Sequence, residues 1–479
     1  MRLSELSRTH VPPAHLDPDI LGVTEDSREV QPGWLFVAVP GTRMDGHHFV
    51  GDAIARGAAA LVLQHAVEAP GHIPTLVVPS ARAALAELAA RFHGYPAQQL
   101  RMIGFTGTFG KTTTGEVLRA LLAASGRRVA VLGSLGVRYD GYFDPGNGLT
   151  TPGPPALHRV LATLLTRGAD TVIMEVTSHA MTLGRVEGIS FADFVLAAIV
   201  PGEHTDFHRS YADYVAAKAR FIGHLAPNAV LAYDRDNPAA RELAERAPAA
   251  VRAGLSIGRR DLSGPHDVVV RNVELDEHGA LMTVRGERMR SSLLGSVNVR
   301  SVGLALAHAL ARDVDLRAAR RVLATLTPLP RRMQRLSVAG RIVLDDVAAH
   351  PDNFNATFEV AALLPHDRLV IACAVRGNRG ADINRRNALA LADLALLLRA
   401  SRVVLTASDD VVDTGDRATS EEIDAARSAF IERACPAFWH DTLAGAMRDV
   451  FVSTSAGDLV VLVGAQGMDA GARLLAGCV

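Results

Sequence analysis

The chain has 479 residues, with 50 lysines and arginines against 51 aspartates and glutamates and a formal net charge of −1 at pH 7. This balance argues against a nucleic-acid-binding or acidic-membrane-binding surface. At about 150 residues per domain, the length predicts roughly two to four domains. The start has no apolar signal core, and no run approaches the roughly 20 apolar residues of a membrane helix, so we expect a cytoplasmic protein. Cys373, Cys435 and Cys478 are scattered, which favours ordinary thiols over a metal site or disulfides.

The first hundred residues alternate short apolar strands with helical stretches. The strands are predicted at Trp34–Val39, Ala59–Leu63 and Thr75–Val78, and the helices at Val50–Arg56 and Arg82–Phe92. This alternation predicts a small α/β domain over residues 1–98.

A glycine-rich loop opens the next segment. Residues 104–114 read Gly-Phe-Thr-Gly-Thr-Phe-Gly-Lys-Thr-Thr-Thr, after the apolar stretch Leu100–Ile103 and before the amphipathic run Glu116–Ala124. A strand, a glycine loop and a helix start together place backbone N–H groups around phosphates. The strict Walker spacing is not met, because Phe105 stands where that pattern has glycine. We nevertheless predict that this loop binds ATP or GTP, with Lys111 supplying charge and Thr112 a hydroxyl to Mg²⁺.

The pattern of a doubly wound, nucleotide-binding sheet continues from the loop to about residue 328. Strands are predicted at Thr171–Glu175 and Phe194–Val200, helices at Tyr211–Leu225 and Val297–Ala311, and an added β segment over residues 267–288. The central domain is therefore placed at residues 99–328.

A proline-rich run, Thr327–Met333, indicates a linker to a third α/β domain at residues 329–479. Its strands are predicted at Arg341–Leu344, Leu369–Ala374, Arg402–Leu405 and Leu459–Gly464.

Three further features suggest chemistry beside the loop. Glu175 ends an apolar strand, so its carboxylate should emerge at the ligand-binding edge of the sheet and suit Mg²⁺; the alternative is a capping or salt-bridged glutamate. The segment 203–208 clusters histidine and carboxylates after the next strand. Lys218 lies among alanines in a helix, where it is either solvated or, if buried near the metal, a reactive amine.

Together these segments resemble the Mur ligases. Besides the loop, the matching motifs are Leu149-Thr-Thr-Pro, Met174-Glu-Val-Thr-Ser-His-Ala followed by Gly184-Arg, the run 203–208, Ala217-Lys-Ala-Arg-Phe and Gly295-Ser-Val-Asn-Val. The N-terminal motifs Asp26-Ser-Arg, Val30-Gln-Pro-Gly, Leu35-Phe-Val-Ala and residues 41–47 are similar to those of the third-step branch, the UDP-N-acetylmuramoyl-L-alanyl-D-glutamate ligases.

The resemblance implies a fold of three domains: a UDP-binding domain, a P-loop ATPase domain and a Rossmann-like acceptor domain. It implies ATP and Mg²⁺ as cofactors and a carbamoylated Lys218. It also implies a monomeric enzyme that joins an amino acid to the carboxylate of a UDP-sugar-peptide or related carboxylate through an acyl phosphate. Its catalytic residues would be Lys111, Lys218, His204 and Glu175, and its metal ligands Thr112, Glu175, His204 and Lys218. ATP would contact Gly107, Thr108, Gly110, Lys111, Thr112, Thr113, Asn298, Arg332 and Asp346. The carboxylate substrate would contact Ser27, Arg28, Thr150, Thr151, Ser178, Arg185 and Arg379.

The third domain departs from the family pattern. The usual amino-acid clamp Asp-Asn-Pro-Arg is Asp409-Asp-Val-Val, and the Gly-Lys-Gly-His-Glu loop is replaced over residues 464–469. We therefore expect an acceptor other than diaminopimelate, and the arginines 376, 379, 385 and 386 favour an acidic or carboxylate-only acceptor or a phosphate-directed role for these arginines. Two rival hypotheses stay open: a ligase recruited to another pathway, and a nucleotide-binding scaffold without activity.

Overall fold

The computed structural model describes residues 1–7, 16–41, 44–201, 207–258 and 264–478. The chain divides into two compact units. The first comprises residues 1–256, 261–268 and 304–319, and the second residues 257–260, 269–303 and 320–479. Three sheets, flanked by helices, confirm the predicted mixed α/β class. The predicted domain boundaries stay a prediction.

The N-terminal part of the first unit is a parallel sheet of four strands in the order β1-β2-β3-β4. Its elements are α1 (Leu3–Leu6), β1 (Gly22–Thr24), β2 (Trp34–Val37), α2 (Val50–Ala55), β3 (Ala60–Leu63), β4 (Thr75–Val77), α3 (Ala81–Phe92) and α4 (Pro96–Gln99). Short 3₁₀ turns occupy Ser27–Glu29 and Gly46–Phe49. The five predicted elements of this region are all present, with ends that differ by one or two residues.

The rest of the first unit is built on a larger sheet. Its elements are β5 (Arg101–Thr106), α5 (Lys111–Ala123), β6 (Val129–Gly133), β7 (Gly136–Tyr139), β8 (Tyr142–Asp144), α6 (Pro154–Thr166), β9 (Thr171–Glu175), α7 (Ser178–Thr182), β10 (Phe191–Leu196), α8 (Tyr211–Ala219), β11 (Leu225–Asp234), α9 (Pro238–Arg246) and β12 (Val251–Ile257). These strands lie in the order β12-β11-β10-β5-β9-β6-β7-β8. All neighbours are parallel except the β6-β7-β8 meander.

Buried apolar strands at the centre of this sheet fix where its ligand edge lies. All residues of β9 are buried, as are those of β5 after Arg101, which is typical of parallel strands covered on both faces. Gly104 is required in β5, because a Cβ there would lie 2.1 Å from the Phe194 ring. The carboxyl ends of β5, β9 and β10 therefore meet at one edge, the usual ligand-binding edge of such sheets.

Two predicted elements of this region end earlier than expected. The strand predicted at Phe194–Val200 is β10, which ends at Leu196. The chain leaves the sheet because Ala198 O accepts the Thr108 N–H (2.8 Å) and the Val200 N–H donates to Thr108 Oγ1 (3.0 Å). The predicted helix Tyr211–Leu225 is α8 followed by a 3₁₀ turn at Arg220–His224.

The chain continues through an antiparallel meander and two helices into the third sheet. These elements are β13 (Val268–Asp276), β14 (Gly279–Val284), β15 (Glu287–Ser291), α10 (Ser296–Ala311) and α11 (Leu316–Ala324). The predicted linker Thr327–Met333 has neither helix nor strand.

The third sheet has the order β16-β17-β21-β18-β19-β20 and is parallel except for β16. Its elements are β16 (Gln334–Val338), β17 (Arg341–Asp345), α12 (Pro351–Leu363), β18 (Leu369–Ala374), α13 (Ala381–Leu397), β19 (Arg402–Thr406), α14 (Ser420–Glu432), β20 (Phe438–His440), α15 (Leu443–Ser453), β21 (Leu459–Val463) and α16 (Gly471–Ala476). The three cysteines are free thiols, as predicted. Among the described residues, no helix combines the length and apolar character needed to cross a membrane.

Candidate active site

The glycine loop between β5 and α5 has the shape of a phosphate cradle. Gly107 (φ +155°) and Gly110 (φ +76°) adopt backbone conformations that favour glycine. A Cβ on Gly107 would also lie 2.6 Å from the Ala197 side chain. Thr112 and Thr113 lie in the first turn of α5, where free backbone N–H groups and the helix dipole attract anions.

Both lysines of the sequence meet at this loop. Lys111 and Lys218 are the only two in the chain, all other basic side chains being arginine or histidine. Lys111 Nζ donates to the carbonyl oxygens of Gly107 (3.1 Å) and Thr108 (3.0 Å). Lys218 Nζ donates to the same Gly107 oxygen (2.8 Å) and to Thr106 Oγ1 (3.3 Å). Two amines separated by 107 residues of chain thus share one carbonyl.

Lys218 is buried, not solvated. Its side chain is 2% exposed, and its Nζ lies 4.7 Å from the centre of the Tyr214 ring. Tyr214 OH in turn lies 3.2 Å from Thr108 Oγ1, so α8 is fastened to the glycine loop. Of the two alternatives that the sequence left open for Lys218, the structure supports the buried amine.

Glu175 ends β9 with its carboxylate buried at the same sheet edge. The residue is 1% exposed, and its Oε1 and Oε2 accept from the N–H (3.1 Å) and hydroxyl (3.2 Å) of Ser134. Gly133 is required beside it, because a Cβ there would lie 2.2 Å from Oε1. No lysine, arginine or histidine of the described part of the chain forms an ion pair with Glu175. A buried carboxylate without a cationic partner is costly, so the site fits a metal cation.

The histidine predicted as a further metal ligand, His204, lies outside the described residues. The chain that leads towards it is fixed: Asn237 accepts the Ile199 N–H (3.2 Å) and donates to the Ile199 carbonyl (3.1 Å). Beyond it, His208 Nε2 lies 2.9 Å from Ser178 Oγ.

Predicted substrate residues gather around the end of β9. Thr151 Oγ1 donates to the Glu175 carbonyl (2.8 Å), and the Arg185 guanidinium donates to the Thr151 carbonyl (2.9 Å). Thr150 Oγ1 lies 3.1 Å from Ser134 Oγ, and Ser178 begins α7. These residues line the same sheet edge as the glycine loop.

Three family models match successive parts of the chain. They are described as "Mur ligase family, catalytic domain" at residues 19–93, "Mur ligase middle domain" at residues 105–309 and "Mur ligase, glutamate ligase domain" at residues 331–466. A UDP-N-acetylmuramoyl-L-alanyl-D-glutamate--2,6-diaminopimelate ligase from Pseudomonas putida is 34% identical over 466 residues, covering 94% of this chain and 91% of the relative. A ligase of the same name from Chlorobaculum tepidum is 33% identical over 456 residues, covering 93% and 87%.

The identity over nearly the whole chain decides the family. The chain belongs to the Mur ligases. The predicted enzyme class, an ATP-dependent, ADP-forming ligase, is confirmed with it. Solved Mur ligase structures share the fold: one diaminopimelate ligase has a TM-score of 0.67 at 22% identity, covering 97% of this chain and 93% of that one. MurF from Acinetobacter baumannii has a TM-score of 0.70 at 20% identity, covering 99% and 98%.

Two further predicted substrate residues of this Mur ligase lie in the 3₁₀ turn Ser27–Glu29 that follows β1. Ser27 is buried, whereas Arg28 is exposed and paired with Asp26 (2.6 Å). Sequence reasoning missed Glu25, whose Oε1 lies 2.5 Å from the place of a Cβ on Gly153. Burial raises the pKa of Glu25, and the Arg185 charge opposes that rise. Its position beside the Asp26-Ser-Arg motif was the available signal.

Arg82, also missed, joins the two parts of the first unit. Its guanidinium donates to the carbonyls of Leu183 (3.1 Å) and Pro40 (2.6 Å). Nothing in its surroundings in α3 marks it in the sequence.

The predicted ATP residues of the second unit are mostly buried within it. Asn298 Nδ2 donates to the Leu294 carbonyl (2.8 Å). Asp346 accepts from the Met333 N–H (3.1 Å) and the Thr357 hydroxyl (2.7 Å), and burial raises the pKa of its carboxyl. Arg332 donates to the Arg331 carbonyl (2.9 Å).

The arginines expected to select an acidic acceptor have mixed surroundings. The backbone N–H of Arg379 donates to Glu422 Oε1 (2.8 Å), and Arg385 forms a 2.5 Å ion pair with Glu432. The charge of Arg385 is therefore already compensated.

Proposed function

We propose that this Mur ligase joins an amino acid to the carboxylate of a UDP-N-acetylmuramoyl-L-alanyl-D-glutamate-like substrate. A carboxylate oxygen attacks the γ-phosphorus of ATP and ADP leaves; the amine then attacks the acyl carbon, and phosphate and a proton leave. The observation that carries the proposal is the convergence of Lys111, Lys218 and the buried Glu175 at one sheet edge. Phosphoryl transfer needs this kind of positioning and charge compensation more than covalent catalysis.

Lys111 can move its positive charge to the phosphoryl group that is transferred. Its ammonium lies over the loop carbonyls, and its flexible stem starts at the first residue of α5. We infer that it moves from these carbonyls to the phosphate oxygens of ATP, which bind at the N–H groups of Gly107, Thr108 and Gly110 and at Thr112 and Thr113.

The residues around Glu175 fit Mg²⁺. We infer that Glu175 and the Thr112 hydroxyl hold one ion and that His204 and a modified Lys218 complete the metal positions, as the family resemblance implies. When bound, Mg²⁺ neutralises charge on the phosphates. Ser134 keeps the carboxylate oriented, and the buried position of Glu175 excludes bulk water from it.

Lys218 is the candidate for carbamoylation. Carbon dioxide would bond to its neutral amine with loss of a proton, giving an anionic carbamate. The change would remove one of two cations that share the Gly107 carbonyl, and it would supply carboxylate-like oxygens for a second Mg²⁺.

The substrate carboxylate end is assigned to the polar residues around β9. We infer that Arg185, Thr150, Thr151 and Ser178 hold the peptide part and that Ser27 and Arg28 hold the uridine part. Asn298, Arg332 and Asp346 are assigned to the nucleoside of ATP, and Arg379 to the anionic substrate.

The enzyme is proposed to act as a monomer in the cytoplasm. Light scattering at a mass near 50.8 kDa would support a monomer, and a twofold mass would exclude it.

The acceptor is proposed to be an amino acid with a cationic side chain and no distal carboxylate. A cleft of about 420 Å³ lies between the loops after β19 and β21 and is lined by Asp413, Asp416, Asp469 and Arg473, among others. Asp469 is paired with Arg331, but the other two aspartates still outnumber Arg473. This charge balance opposes the acidic acceptor that the arginines suggested, and it keeps the expectation that diaminopimelate is not preferred.

The test is ADP release with ATP, UDP-N-acetylmuramoyl-L-alanyl-D-glutamate and a panel of lysine, ornithine, glutamate and meso-diaminopimelate. We expect kcat/KM to be highest for lysine or ornithine and to fall in Asp413→Asn and Asp416→Asn. Selective use of meso-diaminopimelate would overturn the acceptor assignment, and no turnover with any amine would overturn the proposed function.

A further inference from the structure

A single serine connects a predicted substrate residue to the candidate metal carboxylate. Ser134 lies in the two-residue turn between β6 and β7. Its hydroxyl is 3.2 Å from Glu175 Oε2 and 3.1 Å from Thr150 Oγ1, and its N–H is 3.1 Å from Glu175 Oε1. Ser134 therefore contacts both carboxylate oxygens of a buried glutamate and one hydroxyl at the rim of the site.

The protons on these hydroxyls set the direction of the contacts. An ionised carboxylate only accepts, so the single hydroxyl proton of Ser134 is donated to Glu175. The Ser134 oxygen must then accept the proton of Thr150, because it has no second proton to give. The Thr150 oxygen is left with lone pairs only, so it can bind a ligand only as an acceptor.

We infer that Thr150, Ser134 and Glu175 form a directed hydrogen-bond chain with Ser134 as its positioning residue. Thr150 then binds an N–H or O–H donor of the carboxylate substrate, such as a peptide amide or a sugar hydroxyl, and not a phosphate or carboxylate oxygen. This inference rests on the proposed function for the identity of the substrate. The chain makes substrate binding at Thr150 and cation binding at Glu175 energetically coupled, and such coupling is reciprocal.

The surroundings of Ser134 allow the hydrogen-bond chain to be broken without loss of the fold. Gly133 leaves room for the Glu175 carboxylate where Ser134 contacts it, since a Cβ there would lie 2.2 Å from Oε1 and 2.6 Å from Cδ. Ser134 itself is exposed, so its substitution removes hydrogen bonds and leaves the core intact. A hydrogen bond to a charged group is worth enough to change a dissociation constant about tenfold or more.

The experiment compares Ser134→Ala, Ser134→Thr and the control Ser125→Ala. Ser125 is also an exposed serine of the first unit, but its hydroxyl donates to the Leu122 carbonyl at the far end of α5. Binding of Mn²⁺ is measured by electron paramagnetic resonance, with ADP present and with or without UDP-N-acetylmuramoyl-L-alanyl-D-glutamate. Binding of that substrate is measured by calorimetry, with and without the metal.

We expect Ser134→Ala to weaken Mn²⁺ binding about tenfold and to remove the mutual effect of metal and substrate, while Ser134→Thr and Ser125→Ala behave as the wild type. Wild-type Mn²⁺ affinity in Ser134→Ala, or equal defects in Ser134→Ala and Ser134→Thr, would overturn the inference. If the wild type does not bind the substrate, the proposed function is wrong, yet the Mn²⁺ measurement still decides the role of Ser134. In a crystal of the substrate complex, a phosphate or carboxylate oxygen against Thr150 Oγ1 would overturn the assigned donor.

Discussion

The carbonyl of Gly107 accepts hydrogen bonds from the side chains of both lysines in the protein, and each lysine is given a different task. Elsewhere the chain uses arginine for positive charge. Arginine stays protonated and binds through a planar fork, whereas lysine offers a mobile point charge and an amine that reacts when uncharged. Both lysines lie at the glycine loop, where the proposed function uses these two properties.

Replacement of Lys111 by alanine should abolish turnover while leaving the fold intact. Loss of its charge at the transferring phosphoryl group should lower kcat about a thousandfold. Steady-state ADP release measures the change, and the far-ultraviolet circular dichroism spectrum checks the fold. Arg119→Ala is the control and should retain activity, because the Arg119 side chain is exposed and its partner Glu116 on the same helix keeps an ion pair with Arg138. Near-normal turnover in Lys111→Ala would contradict the role of the glycine loop.

Carbamoylation of Lys218 can be observed directly, because only one other lysine exists. With ¹³C-bicarbonate, the wild type should give a single carbamate resonance that Lys218→Ala abolishes and Lys111→Ala retains. Activity of Lys218→Ala should be partly restored by short carboxylic acids, which supply the missing oxygen ligand. A free Lys218 amine in an active, metal-loaded enzyme would exclude the modification.

At the residue scale the sequence predicted most residues of the candidate site, but not the contacts that hold them. Glu175 and Lys111 could be predicted because each lies where a buried strand or a glycine loop ends. Ser134 could not be predicted, since its contacts with Glu175 depend on a turn between β6 and β7 that no local sequence pattern indicated. Burial of Lys218 depends on contacts with Thr106 and Gly107, more than a hundred residues away in the chain.

The elements that matter most for the site are strand ends, and their geometry leaves little space. In Gly133→Ala the new methyl would meet the Glu175 carboxylate at 2.2 Å and must displace it. We expect ADP release to fall at least tenfold, with a higher requirement for Mg²⁺. Gly115→Ala in α5 is the matched control: its Cβ would lie 3.6 Å from Ile173, and alanine favours the helix by about 0.5–1 kcal/mol. Equal activities of the two variants would contradict the role of Gly133.

The opposite end of β10 carries a buried ionic cluster that contributes stability. Asp193 is fully buried and contacts Arg101 (2.7 Å), His308 (3.2 Å) and Arg312. Burial alone would raise the pKa of Asp193, but the hydrogen bonds and charges of these three residues hold it well below its usual value. Because the pKa is lower in the folded state, the carboxylate stabilises the fold above its unfolded pKa of about 4, and that contribution is lost as the pH falls further.

Asp193→Asn should therefore lower the unfolding temperature by several degrees at pH 7, since it removes the buried carboxylate that accepts the charged hydrogen bonds of Arg101 and Arg312, at a cost of about 1–3 kcal/mol. Calorimetry at pH about 7.5, 5 and 3.5 should show a constant difference from the wild type at the first two values and a smaller one at the last. Asp170→Asn, at a partly exposed pair with Arg128, is the control and should change little. A difference that grows as the pH falls would contradict this account of the cluster.

Element ends were harder to predict than element types. The central strand at Thr171–Glu175 was predicted to the residue, because its apolar centre, Val172–Met174, is bounded by the polar residues Thr171 and Glu175. The end of β10 was predicted four residues too late, since Ala198–Val200 is apolar but bonds to Thr108 and Asn237 instead of to a neighbouring strand. The spacing of apolar residues in the sequence does not show such hydrogen bonds to distant side chains.

For the whole molecule, three parallel-sheet regions could be predicted from alternating strands and helices, and family motifs agreed with them. The proposed acceptor choice could not be predicted, because it rests on the charges that two separate loops bring to one cleft. In the sequence, Val411 and Val412 indicated only that the usual amino-acid clamp is missing, and Arg473 in α16 was not considered. All three residues line the same cleft.

The central claim, ATP-dependent amide formation on a UDP-muramyl-peptide carboxylate, is tested most directly by product analysis. Purified enzyme is incubated with Mg²⁺, ATP, UDP-N-acetylmuramoyl-L-alanyl-D-glutamate and lysine, and the UDP-linked product is weighed by mass spectrometry while ADP is quantified. We predict one ADP per product, a mass increase equal to lysine minus water, and neither product nor ADP when the carboxylate substrate is omitted. ADP release without any amide, or release that does not depend on the UDP-linked substrate, would contradict the claim.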